Sequence, residues 1–165
     1  MGRIENVHTH QEEIDHLRKQ VQELSWDTAF EMWTRPAVLN LCNQIDDGMR
    51  MVVFLDLDDI GSLNLSFGYS EVDRRVRSLF SEIHNKNVII GRWYSGDEII
   101  LVFEDEVSAQ EGLSNLYNKA LECGVGFTAA SARWEIGQKT IHAVMDQLSM
   151  EACSIKKTRH FNRGE

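Results

Sequence analysis

The chain has 165 residues, of which 42% are hydrophobic and one is proline, and it carries a formal charge of −9. That length and apolar content suit one folded, soluble domain with its own core plus a short extension, while the acidic balance argues against nucleic-acid binding, which needs a basic face. No apolar run approaches the roughly 18 residues of a membrane span, the N-terminus is polar and reads as lacking a secretory signal, and Cys42, Cys123 and Cys153 are too scattered for a disulfide set or zinc site; a cytoplasmic setting is expected.

Residues 4–24 hold no Gly or Pro, and Val7, Ile14 and Val21 recur seven apart, with His10, Leu17 and Leu24 as a second seam. β-branched residues on one seam and leucines on the other favour a parallel two-stranded coiled coil, so residues 1–24 are expected to form a dimerisation helix, with residues 25–165 as the globular domain. Three heptads span only about 30 Å and need help from that domain. The alternative is a single amphipathic helix folded back on its own domain.

Thr34-Arg35-Pro36 marks a helix start, Val38, Leu39, Leu41, Cys42 and Ile45 give its apolar face, and Asp46-Asp47-Gly48 ends it. The strand 50–57 is apolar nearly throughout, which predicts burial on both faces. A loop containing Gly61 and Asn64 then leads through Phe67-Gly68-Tyr69 to a helix over about 70–86, striped by Val72, Val76, Leu79, Phe80 and Ile83. Val88–Ile90 and Ile99–Phe103 flank the turn Ser95-Gly96 and read as a hairpin. A helix over 108–121, a short strand over 124–130 and a helix over 139–157 complete the chain. The order strand–helix–strand–strand–helix–strand predicts an α+β fold with a ferredoxin-like, palm-type βαββαβ core: an antiparallel sheet with helices on one face.

Two carboxylate clusters sit at strand ends, Asp56-Leu57-Asp58-Asp59 and Asp97-Glu98. The topology sets the opening strand beside the second hairpin strand, bringing Asp56, Asp97 and Glu98 towards one point. Like charges so placed repel unless cations lie between them. Hard oxygen ligands of this kind suit Mg²⁺ or Mn²⁺ in two-metal phosphoryl transfer. The bland alternative is that both clusters are solvated turn residues.

Four stretches lie in one familiar order. Asp27–Arg35 (DTAFEMWTR) is similar to a divergent D-P-L-T-G-L-P-N-R, and Asp56–Ile60 to D-[IL]-D-x-F. Asn64, Phe67-Gly68 and Asp73 fall on N-D-x-[FY]-G-H-x-x-G-D, and Ala152–Arg163 on A-x-x-A-K-x-x-G-R-N. With Ser95-Gly96-Asp97-Glu98-Ile99 at the signature position, the chain resembles a GGDEF domain, the catalytic domain of diguanylate cyclases, over most of residues 20–165.

The resemblance implies two Mg²⁺ (or Mn²⁺) ions held by Asp56, the Leu57 carbonyl and Asp97, with Glu98 on the second metal or at the attacking 3′-hydroxyl. It implies guanine recognition by Asn64 and Asp73, close phosphate approach at Gly96, and phosphate neutralisation by Lys156 and Arg159. The implied reaction condenses two GTP into cyclic di-GMP and two pyrophosphates across a homodimer, which the N-terminal helix would tether. Read apart from the resemblance, Asn64 is a loop cap, Asp73 favours a helix dipole, and Lys156 and Arg159 are basic residues at a helix C-terminus. Trp26, Trp33, Trp93 and Trp134 read as packing residues.

Departures from the pattern are Ser95 for the first glycine, Ile99 for Phe, Gly61 where a lysine is usual, Leu65 and Tyr69 for Asp and His, and Arg92 one place further from the signature. The R-x-x-D of product inhibition is absent from Asn85-Lys86-Asn87-Val88-Ile89. These departures keep two alternatives open: a catalytically degenerate module that binds GTP or a protein partner, and a related palm-type nucleotide cyclase with another product.

Overall fold

A computed structural model describes residues 2–84, 87–94 and 96–163, with side chains described from His10 to Arg159 within those limits. The elements are α1 (Gly2–Ser25), β1 (Trp26–Asp27), β2 (Met32–Trp33), α2 (Arg35–Asn43), β3 (Met49–Leu57), α3 (Ile60–Phe67), α4 (Tyr69–Phe80), β4 (Val88–Arg92), β5 (Glu98–Phe103), α5 (Glu106–Cys123), β6 (Phe127–Glu135) and α6 (Ile141–Arg163). They build one six-stranded sheet in the order β1-β2-β4-β5-β3-β6. Its pairs are antiparallel except β2 with β4.

The centre of the sheet follows from the apolar run of β3. Successive side chains of a strand point to opposite faces, and here both faces are covered. Met51, Val53, Leu55 and Leu57 share a core with Val72, Val76, Leu79 and Phe80 of α4 and Ala109 and Leu116 of α5. Val52 and Phe54 meet Val38 and Cys42 of α2 and Ile141, Val144, Met145 and Leu148 of α6 on the other side. The βαββαβ core thus keeps α4 and α5 on one face as expected. The expectation of a single covered face is corrected by α2 and α6, which supply the second apolar layer that β3 requires.

Several boundaries differ from those expected, among them the C-terminal helix, which runs from Ile141 to Arg163 instead of over 139–157. The segment after Asp58 is not a loop: α3 occupies it, with Ile60 and Leu63 against the core and Gly68 at φ +82° dividing it from α4, a conformation open to glycine. α4 stops at Phe80 instead of about 86, although Ile83 is still buried in the following turn. β6 begins at Phe127 because Gly124, at φ +68°, caps the C-terminus of α5. No helix among the described residues is long and apolar enough to cross a membrane.

Candidate functional site

A cavity of about 410 Å³ opens between α3, α4 and the β4–β5 turn, with Phe30, Asn64, Asp73, Arg92, Gly96 and Asp97 in its lining. Asn64 comes from α3 and Asp73 from α4, so the bend at Gly68 sets the two side chains against one space. Asn64 Oδ1 and Arg92 Nη1 are buried without a hydrogen-bond partner among the described residues. Unsatisfied buried polar atoms are uncommon in folded proteins, and here the acceptor and the donor belong to two residues that line the same cavity. A Cβ on Gly96 would meet nothing nearer than Arg92 Nη2 at 3.8 Å, so packing within the protein does not demand glycine there. Gly61 has open space around its Cβ position, so its small size is not a packing need either.

The acidic clusters meet beside this cavity. β3 and β5 pair with Asp56 opposite Glu98, Leu57 N donates to Asp97 O at 2.9 Å, and Trp93 N donates to Glu98 O at 2.8 Å. The backbone therefore holds both strand ends together. Burial, with Asp97 and Asp58 nearby, pushes the Asp56 carboxyl above its usual range despite the opposing pull of Lys156. Lys156 Nζ lies 2.9 Å from Asp56 Oδ2 and 3.2 Å from Asp58 Oδ1. Burial disfavours that ammonium, but the two carboxylates outweigh it and raise the lysine above its ordinary value. The ion pair stabilises both charges, and only for Asp56 do desolvation and like charge overcome it.

Arg159 and Thr128 complete the cluster. Arg159 Nη1 donates to Thr128 Oγ1 at 3.1 Å, and Thr128 Oγ1 donates to Asp58 Oδ1 at 3.1 Å. Arg159 Nη1 is also 3.9 Å from Asp58 Oδ2. Asp58 N donates to Gly126 O at 2.8 Å, which anchors the hub to the start of β6.

The structure thus gathers the expected residues in two adjoining groups: Asn64, Asp73, Gly96 and Asp97 on the cavity, and Asp56, Leu57, Asp97, Glu98, Lys156 and Arg159 around the strand ends. Among the described residues no three His, Cys, Asp or Glu side chains converge as a metal-holding group; the nearest cation to Asp56 and Asp58 is Lys156. The carboxylate oxygens of Asp56, Asp58 and Asp97 are donors of the hard kind that divalent ions take, and in this arrangement Lys156 is the cation that relieves their repulsion. Ser95, Asn85 and Lys86 lie outside the described residues. Sequence reasoning missed Thr128, named Asp27, Phe30 and Asp58 only within their motif stretches, and read Arg92 only for its spacing. A buried threonine in a strand of alanines was the one available signal for Thr128.

No family model and no curated protein matches the chain. Solved structures do. The diguanylate cyclase SiaD of Pseudomonas aeruginosa, in complex with its activator SiaC, is 18% identical, with a TM-score of 0.68 over 94% of this chain and 69% of that one. The coiled coil and GGDEF domain of DgcB from Caulobacter crescentus, in complex with c-di-GMP, is 16% identical, with a TM-score of 0.67 over 96% of both chains. A microbial GGDEF domain with cyclic di-GMP is 21% identical, with a TM-score of 0.67 over 81% of this chain and 90% of that one. The chain has the fold of GGDEF domains.

Proposed function

We propose that the chain is a diguanylate cyclase, condensing two GTP into cyclic di-GMP with release of two pyrophosphates. One observation carries this reading: the cavity lined by Asn64, whose Oδ1 has no partner among the described residues, and by Asp73 adjoins the acidic strand ends. Guanine offers an N1–H and an amino group, both donors, to such acceptors. Adenine lacks the N1 donor. A base in the cavity extends its triphosphate past Gly96 towards Lys156 and Arg159. The cyclic di-GMP complexes of solved neighbours support the same ligand class.

Asp56, the Leu57 carbonyl and Asp97 would hold Mg²⁺ (or Mn²⁺), with Glu98 serving a second ion or the attacking hydroxyl. Bound there, the ions would activate the 3′-hydroxyl and neutralise the phosphates. Lys156 would exchange its carboxylates for phosphate oxygens when nucleotide enters, a swap of one charge-assisted contact for another. Each cavity holds one nucleotide, so two copies must face each other. Exposed Ile14, Leu17, Val21 and Leu24 on α1 supply the seam for a homodimer.

A second reading has its own observation. Lys156 already neutralises Asp56 and Asp58 from within, which suits a degenerate module that binds GTP, or a protein partner, without turnover. The deciding experiment incubates the protein with Mg²⁺ and GTP, ATP or both, and separates products by mass beside Asp97→Ala. Cyclic di-GMP from the wild type and none from the variant is expected. GTP binding without product supports the degenerate module, and an adenine-containing product overturns the assignment of Asn64 and Asp73.

A further inference from the structure

The geometry points to Arg92 as a base-specificity residue, donating from its half-buried guanidinium to the O6 and N7 edge of a guanine in the cavity. This rests on the reading of that cavity as a guanine-nucleotide site. Asn64 Oδ1 and the Asp73 carboxylate are acceptors and can satisfy only the donor edge of the base. Guanine's O6 and N7, side by side on one edge, are acceptors that those oxygens cannot satisfy, and Arg92 is the one cationic side chain in the described lining. An arginine fork matches that pair of atoms bidentately.

Arg92 is held for the purpose. Its guanidinium stacks 3.9 Å from the Phe30 ring centroid, and Nε lies 3.7 Å from Asp27 Oδ2. Asp27 is itself fixed, since its Oδ1 accepts from Phe30 N at 2.9 Å. Charge is therefore compensated through Nε, while Nη1 faces burial with no partner among the described residues. Asp27 and Phe30 belong to the divergent opening stretch, which thereby acquires a positioning role. Arg92 Nη2 also lies 3.8 Å from the Cβ position of Gly96, so the comparison of GDP with 7-deaza-GDP separates a base contact from a phosphate contact.

The test is calorimetric binding of GDP, 7-deaza-GDP, IDP and ADP with Mg²⁺ to the full chain. Diphosphates lack the pyrophosphate leaving group and do not turn over. Replacing N7 by carbon is expected to weaken binding to the wild type by about tenfold. Arg92→Met should bind GDP and 7-deaza-GDP equally, while still preferring GDP over IDP through Asn64 and Asp73. Arg92→Lys, which keeps the charge beside Asp27, should also lose most of the N7 discrimination and controls for folding. Wild type that binds GDP and 7-deaza-GDP alike overturns the assignment and leaves the guanine site standing. A variant that weakens both equally does the same, by showing a phosphate role. Wild type that binds no guanine nucleotide, or prefers ADP, removes the guanine-site reading and the inference together.

Discussion

Asp58 accepts from the Thr128 hydroxyl at 3.1 Å and lies 3.2 Å from Lys156 Nζ, so one carboxylate ties a buried strand residue to α6. Thr128 is fully buried and receives Arg159 as well. Thr128→Val keeps the shape and removes the bridge; it should cost about 1–2 kcal/mol in urea unfolding, with Thr128→Ser restoring most of it. Glu71 provides a pH prediction away from the site. Hydrogen bonds from Arg74 and Arg75 pull its carboxyl from 4.5 down to about 2. A lowered carboxyl favours the folded state above its unfolded value, so this contribution is complete above pH 4.5 and is lost as the pH falls towards 2. The stability gap between wild type and Glu71→Gln should therefore close over that window when unfolding is measured from pH 7 downwards. A gap independent of pH would refute the assignment.

Gly91 decides how closely the edge of the sheet can assemble. It pairs with Trp33 where β2 runs parallel to β4, and a Cβ at 91 would lie 2.8 Å from Trp33 O and drive into Val38 of α2. Gly91→Ala should cost about 1–3 kcal/mol through overpacking and lower the thermal midpoint. It should also blue- or red-shift the Trp33 environment, because β2 has to move. This edge was not legible in the sequence: β1 and β2 are two residues each, too short for any alternation to register. β3 and β5 were legible, because double burial leaves a continuous apolar run, and α4 was legible from its stripe. α3 was hidden by its Gly, Ser and Asn content; none of its residues is fully buried, so no periodic signal marks it. The site divides the same way. Asp56, Asp97, Asn64 and Asp73 stand out as residue types in order, while the joining of Asp27, Phe30 and Arg92 depends on tertiary contact between the opening turn and the end of β4.

At the scale of the whole molecule, the C-terminal end of α1 is tied to the edge of the sheet. Thr34 N donates to Ser25 O at 2.9 Å, Thr34 Oγ1 donates to Leu24 O at 2.8 Å, and Trp26 meets Trp33 edge-on with centroids 5.2 Å apart. From His10 to Leu24 the helix is exposed, including Ile14, Leu17, Val21 and Leu24; Val7 lies outside the described side chains. These positions do not fold back onto the domain, as the single-helix alternative required. An exposed apolar seam of this kind gains by burial against a second copy. The anchored end would then transmit that pairing to both cavities and set their effective concentration, which reaches millimolar for short tethers. Leu17→Glu places a charge inside the seam, far from the cavity. Sedimentation should show wild-type dimers and variant monomers, with guanine nucleotide binding per chain unchanged. If the proposed cyclase reading holds, product formed per chain should fall by tenfold or more at low protein concentration and recover as concentration rises, because association then has to be supplied in solution. A monomeric wild type, or a monomeric variant of undiminished activity, would separate α1 from the reaction.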